Sequence, residues 1–348
     1  MRLVVVGATG NVGTSVLRAL APDRSVDSIL GIARRKPDLE LDKTEWAAAD
    51  VSRDELAPLF EGADAVVHLA WAIQPSRDLP TLWRTNVEGS SRVFRAVAEA
   101  GVAKLVYASS VGAYATGPKD RTVDESWPTT GIPTSFYSRH KAEVERHLDR
   151  FERDNPSTRV VRLRPALTFK RESATEQRRL FAGPFLPGFL VRPGLIPFVP
   201  DLPTLRFQAV HSYDVGEAYR LAVTSDVRGA FNIAADPVLD PQTLGRALDA
   251  RPVRIPAQAL RAAVDLTWRA RLQPTPPGWI DLALGVPLLD TTRARAELGW
   301  EPIRSSVDAI RDVMTGMRDG SGLDTPPLRG DTAPRRAGEV EQGVGARD

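Results

Sequence analysis

Cysteine is absent from all 348 residues, which excludes disulfides, thiolate nucleophiles and cysteine metal sites. Histidine is scarce: His68, His140, His147 and His211 are scattered and none shows HExxH-like spacing, so no metal site is expected. Lysine supplies only 6 of the 46 cationic side chains, making arginine the default cation and any single arginine weakly informative. The formal net charge is only +2, too small to argue for a nucleic-acid partner. No stretch approaches the roughly eighteen uncharged apolar residues of a membrane span. An apolar strand beginning at Leu3 leaves no room for a signal peptide. The expectation is a cytoplasmic, soluble protein without a membrane partner, long enough to bury a large core.

What is present begins at the first residue. Leu3 to Val6 read as a short buried strand, and Val16, Leu17 and Leu20 recur at helical spacing beyond it. Between them stand Gly7, Gly10 and Gly13, at a strand-to-helix turn. Gly7 permits the sharp turn, Gly10 lets backbone N–H groups approach a pyrophosphate, and Gly13 lets the helix pack close to the sheet. The helix N-terminus adds partial positive charge. These features predict a bound dinucleotide.

Apolar runs at Ile29–Ile32, Ala65–Leu69, Leu105–Ala108 and Val160–Leu163 alternate with amphipathic stretches, the pattern of a parallel sheet covered on both faces. The fold expected is therefore α/β, a Rossmann-type doubly wound sheet over residues 1–165. A smaller C-terminal substrate-binding part follows over 166–318, some of its elements returning to the Rossmann core. Residues 166–206 are rich in proline, glycine and phenylalanine and predict an irregular segment over a binding site. Further strands are expected at Phe207–His211 and Phe231–Ala234, with a helix from Asp214 to about Thr224. Residues 319–348 lack aromatics and are rich in Gly, Pro and charge, which predicts a disordered tail.

Tyr137 and Lys141 lie four apart in a predicted helix from about Ser135 to Arg153, so both project from one face. A cation beside a phenol favours the phenolate and lowers its pKa toward working pH, allowing proton exchange with an alcohol or carbonyl. Ser109 and Ser110 end a predicted strand at its carboxyl edge, where ligands bind in open parallel sheets. A serine there can polarise a substrate oxygen. Asn86 stands in a helical stretch, where asparagine is locally unfavourable and often holds a specific hydrogen-bonding role.

The glycine triad, His68-Leu69-Ala70, Asn86-Val-Glu-Gly89, Ser109-Ser110 and Tyr137-x-x-x-Lys141, in that order, resemble the extended short-chain dehydrogenase/reductase family. The likeness continues through Arg164-Pro165, Val210-His211-Ser-Tyr-Asp214 and Asp290 to Trp300. It implies that Ser110 polarises substrate, Tyr137 is the acid/base, Lys141 its electrostatic partner and ribose anchor, and Asn86 a support for the proton relay. It also implies a cofactor site lined by Gly7, Thr9, Gly10, Asn11, Val12, Gly13, Arg34, Arg35, Asp50, Val51, Leu69, Ala70 and Pro165, with Tyr137 and Lys141 at its reactive end. Asp50 would bond the adenine, or cap the next element.

The second strand runs into Arg34-Arg35-Lys36, where an NAD site normally presents an acid to the ribose. Two guanidiniums suit a 2′-phosphate, favouring NADP(H) over NAD(H). The leading expectation is hydride transfer between NADP(H) and a small carbonyl/alcohol pair. A sugar-nucleotide epimerase or dehydratase and a noncatalytic NADP-sensing or scaffold protein are the alternatives. Pro165-Ala-Leu-Thr-Phe-Lys170 replaces the Asn and Tyr-Gly common after Arg-Pro in sugar-nucleotide members, and Asn11 replaces a common aromatic. Nine Lys/Arg against three Asp/Glu between Arg159 and Arg206 fit an anionic substrate, while Trp71, Trp83, Phe181, Phe185 and Phe189 fit an apolar pocket. Resemblance also leans toward a homodimer.

Overall fold

Buried valines and isoleucines without polar interruption are what strands covered on both faces require, and they set the centre of the molecule. The computed structural model describes residues 1–185, 195–330 and 332–344. In chain order the elements that position the site are β1 (Arg2–Val6), α1 (Asn11–Leu20), β2 (Ser28–Ala33), β3 (Thr44–Ala48) and β4 (Ala65–His68). They continue with α2 (Gly89–Glu99), β5 (Lys104–Ala108), α3 (Phe136–Asp154), β6 (Arg159–Pro165), β7 (Leu167–Phe169) and α4 (Ala174–Gln177). The rest are β8 (Ala209–His211), α5 (Ser212–Thr224), β9 (Gly229–Ile233), α6 (Gly278–Gly285), α7 (Ser306–Asp319) and α8 (Ala333–Gln342).

Seven strands form one sheet in the order β9-β6-β5-β4-β1-β2-β3, and every pairing is parallel. Chain order reverses about β1, between β4 on one side and β2 on the other, so the crevice lies above the carboxyl ends of these strands. One face buries Leu3, Val5 and Val67 against α1 and α5; the other buries Val4, Val6 and Val66 with Val93 and Val97 of α2 and Val144 of α3. Strand β3 was not anticipated, because Thr44-Glu-Trp-Ala-Ala is a half-exposed edge sequence with little apolar signal. The segment Leu186–Phe189 of the expected irregular stretch lies outside the described residues.

The expectation of a disordered tail is corrected for the described part of 319–348. Thr325 and Leu328 are fully buried, and residues 333–342 form α8. Thr325 Oγ1 donates to the Thr9 carbonyl at 2.9 Å, and Glu339 pairs with Arg178 at 2.6 Å. A few anchoring contacts order a segment whose composition alone carries no core.

Candidate active site

Gly7 holds φ +87°, and a Cβ there would lie 2.6 Å from the Ala70 nitrogen. A Cβ on Gly13 would lie 2.4 Å from the Gly7 carbonyl. These two glycines are therefore steric requirements of the turn. Gly10 precedes α1 in extended conformation and offers no side-chain cap, so the first-turn N–H groups lack that internal partner. The turn floors a cleft also lined by Thr9, Arg34, Arg35, Asp50, Val51, Leu69 and Ala70. Glu176, Arg179, Pro326 and Pro327 complete its far wall, and no sequence pattern singled them out. A cradle of tight glycines, an uncapped helix start and adjacent cations fits a dinucleotide.

Other predicted cofactor residues do not line this cleft. Asn11 Nδ2 is turned to the Thr168 carbonyl at 3.0 Å, Val12 packs on the core, and Pro165 ends β6 opposite Ile233. Asp50 lines the cleft but also caps its own turn, accepting from Ser52 N at 2.9 Å and Ser52 Oγ at 2.7 Å. Lys170, also unanticipated, is fully buried beneath α1. Its ammonium donates to the Asn11 carbonyl, Thr14 Oγ1 and Ser15 Oγ at 2.9, 2.6 and 3.0 Å.

At the other end of the crevice the structure brings Ser110, Tyr137 and Lys141 together. Ser110 follows β5 and caps the next turn by accepting from Gly112 N at 3.0 Å, and its Oγ flanks Gly112 together with the Tyr137 ring. A Cβ on Gly112 would sit 2.7 Å from the Tyr137 ring, so the glycine makes room for the phenol. Lys141 Nζ donates to the Ala108 carbonyl at 2.6 Å and lies 3.5 Å from the Trp71 ring centre. Trp71 also lines the cleft and thus joins its two ends.

The expected depression of the phenol is corrected. Burial pushes the Tyr137 pKa up, only partly offset by the nearby Ser110 hydroxyl. Burial likewise lowers the Lys141 ammonium to about 7, against the pull of Glu145. Loss of water outweighs the four-residue spacing because the amine is aimed at Ala108 and Trp71, and its distance to the Tyr137 ring centre is 6.0 Å. The phenol is the protonated species at neutral pH.

Asn86 sits in a π-helical turn over Arg84–Glu88, accepts from Ala72 N at 2.7 Å and donates to the Ala72 carbonyl at 2.8 Å. Both ends of its carboxamide brace the loop after β4 beside Trp71. Ser109 donates to Glu145 at 2.5 Å, a scaffold contact. Trp279 of α6, missed because nothing in its neighbourhood forms a motif, lies 5.0 Å from Tyr137 centre to centre. Phe181 meets it edge-on at 4.9 Å. Of the other predicted pocket aromatics, Trp83 packs on His140, Phe185 is exposed and Phe189 lies outside the described residues.

The NAD dependent epimerase/dehydratase family model matches residues 3–234, spanning the glycine turn, Ser110, Tyr137 and Lys141. The chain belongs to this family. An uncharacterized protein of Mycobacterium tuberculosis is similar at 26% identity over 328 residues, 93% of this chain but 31% of that protein, so the chain spans about a third of that relative's length. The NAD-dependent glucose-6-phosphate dehydrogenase of Haloferax volcanii is 32% identical over 179 residues, 47% of this chain and 66% of that enzyme. Among solved structures, the UDP-glucose 4-epimerase of Thermotoga maritima with UDP-glucose aligns at a TM-score of 0.67 with 20% identity, covering 92% of this chain and 99% of that one. The family accounts for the seven-stranded parallel sheet and for an NAD-type site above it. Among the described residues no cluster of metal-ligating side chains occurs, and no helix is long and apolar enough to cross a membrane.

Proposed function

We propose that this family member is an NADP(H)-dependent oxidoreductase acting on a small carbonyl/alcohol pair whose reacting carbon carries a flat apolar flank. The observation that carries the reading is the convergence of Ser110 Oγ and the Tyr137 ring on Gly112, with buried Lys141 one turn further along α3. A dinucleotide bound in the cleft would supply or accept the hydride. The chain's own residues handle the oxygen. Ser110 donates a hydrogen bond to the carbonyl oxygen and polarises it, and Tyr137, protonated because burial raises its pKa, gives that oxygen its proton. Oxidation runs the same proton in reverse. Lys141, lowered to about 7, is poised to exchange a proton near neutrality one helical turn behind the phenol.

Trp71 and Trp279 flank the phenol and Phe181 meets Trp279 edge-on, which supports a planar or apolar substrate more than a heavily hydroxylated one. Exposed Arg34 and Arg35 at the cleft rim support the 2′-phosphate of NADP(H). Net dehydrogenation is further supported by the named dehydrogenase among the relatives. Purified protein should change the near-ultraviolet absorbance of the nicotinamide when given NADPH with a panel of aryl and alkyl ketones and aldehydes. A protein that interconverts sugar nucleotides without net change in cofactor absorbance would instead be an epimerase.

A further inference from the structure

The stretch Pro165-Ala-Leu-Thr-Phe-Lys170, which departs from the sugar-nucleotide pattern, ends in a buried cation that the chemistry at Tyr137 does not use. Lys170 follows β7, is 0% exposed and makes no ion pair among the described residues. Its ammonium is spent on α1, donating to the Asn11 carbonyl at 2.9 Å, Thr14 Oγ1 at 2.6 Å and Ser15 Oγ at 3.0 Å. Thr14 Oγ1 in turn donates to the Gly10 carbonyl at 3.0 Å, and Ser212 Oγ donates to the Asn11 carbonyl at 3.2 Å. Asn11 Nδ2 returns the contact by donating to the Thr168 carbonyl at 3.0 Å. The chain beyond β6 is thereby stitched to the first turn of the helix that follows the glycines.

An ammonium taken out of water without a counter-ion is costly, and the charges around Lys170 do not cancel it by contact. Glu172 accepts from the Tyr213 hydroxyl of α5 at 2.6 Å, and Glu176 of α4 faces the dinucleotide cleft. Arg18 of α1 adds a like charge, stacked on the Tyr213 ring whose other neighbour is Lys170 Nζ, 5.5 Å from its centre. The first internal bond of α1 runs from Thr14 N to the Gly10 carbonyl at 3.0 Å, so the N–H groups of Asn11, Val12 and Gly13 precede the ladder and point back toward the glycine turn. The Asn11 carbonyl and the Val12 N–H are two ends of one peptide unit. A cation on the oxygen draws electron density through that unit and makes its N–H a stronger donor.

We propose that Lys170 is the fixed counter-charge for the diphosphate of the dinucleotide, acting from beneath α1 through the Asn11–Val12 peptide unit. The inference rests on the dinucleotide reading and deepens it by naming a positioning residue from outside the glycine turn. The diphosphate is common to NADH and NADPH, so Lys170 strengthens both alike and leaves the choice between them to the end of β2. Burial lowers the ammonium to about 8, and an anion nearby favours its charged form, so binding above that pH draws a proton onto Lys170.

The test is a calorimetric titration of the full chain and of its Lys170→Met and Lys170→Gln variants with NADPH, NADH, ADP-ribose and adenosine. At about pH 7 both variants should bind NADPH, NADH and ADP-ribose about fivefold to tenfold more weakly and by equal factors, while adenosine, which carries no phosphate, changes by less than about twofold. At about pH 8.5 the native chain should take up a proton as ADP-ribose binds, read from the heats in buffers of different ionisation enthalpy, and both variants should lose that uptake. Glutamine keeps a donor for the Asn11 carbonyl without the charge, and it carries the test if the methionine variant does not fold. A Lys170→Gln chain that binds ADP-ribose as the native chain does would reduce Lys170 to a hydrogen-bonded tie and overturn the proposal. Equal weakening toward adenosine would make it a prop for the turn and overturn it too. Proton uptake undiminished in the variants would assign the proton to Glu176, with the same result. A native chain that binds neither dinucleotide nor ADP-ribose overturns the dinucleotide reading itself, before any variant is made.

Discussion

Lys141 and Glu145 occupy successive turns of α3 and are almost equally buried, at 3% and 1% exposure, yet their surroundings are opposite. Glu145 accepts from Arg162 and Arg164 at 2.9 Å each and from Ser109 at 2.5 Å. Burial pushes its pKa up, but the two arginines and the serine outweigh that and hold it at about 2. Lys141 has one carbonyl and an aromatic face, and burial brings it down to about 7. A buried charge that must stay fixed is surrounded by its opposite, whereas one meant to change its protonation is left partly uncompensated. The helix thus carries scaffold and chemistry one turn apart.

The largest separation of the two should come from Tyr137→Phe. Removing the proton donor should lower kcat by about 10²–10⁴-fold, leave dinucleotide affinity unchanged in a fluorescence titration, and leave the thermal midpoint nearly untouched. Normal turnover would break the assignment of chemistry to this end of α3. Glu145→Ala should do the reverse. It strands two buried guanidiniums and should cost about 3–5 kcal/mol in denaturant unfolding, with activity lost only in proportion to the unfolded fraction.

Lys141→Met sharpens the contrast further, because it should abolish turnover while raising stability. The unfolded chain holds the lysine proton to its ordinary 10.5, and the folded chain releases it at about 7. Between those values the unfolded state binds more protons, so the lysine's contribution to stability is least favourable below about 7 and improves as pH rises. The methionine variant should therefore melt about 2–5 °C higher than the native chain below neutrality, with the gap closing toward alkaline pH. A gap that widens with pH would invert the sign and remove the argument.

How much of this was legible follows the same division. Uninterrupted apolar runs and three glycines dictate strands and a turn, so the sheet and the Gly7–Gly13 cradle could be read from residue types. Ser110, Tyr137 and Lys141 were legible because spacing on one helix and a strand end is itself geometry. The direction of the tyrosine and lysine shifts was not, because it depends on Trp71 and Trp279 removing water, and Trp279 comes from a helix well over a hundred residues away. The place of Asn86 in a helical stretch points to a specific hydrogen-bonding role, but its partner, Ala72, depends on a loop conformation that no periodicity encodes. The C-terminal segment failed for a related reason: Thr325 and Leu328 are buried by elements distant in sequence, and composition measures only what a segment can bury by itself.

Glu176 extends the comparison to a carboxylate and gives the smallest predicted effect. It faces the dinucleotide cleft, and burial raises its pKa to about 7 against the opposing pull of Arg179 and Lys170. Below that value it is neutral and tolerates a pyrophosphate nearby; above it, a carboxylate stands among the anionic oxygens of the ligand. Dinucleotide affinity should therefore fall several-fold from about pH 6 to about pH 8. Lys170, lowered by burial to about 8, loses its positive charge at the upper end of that window and weakens anion binding in the same direction. Glu176→Gln should remove the component centred near neutrality and leave the one contributed by Lys170, so that affinity stays level to about pH 7 and declines only beyond it. An unchanged pH profile in the glutamine variant would place the carboxylate outside the field of the bound phosphates and restrict uncompensated charge to the tyrosine end of the crevice.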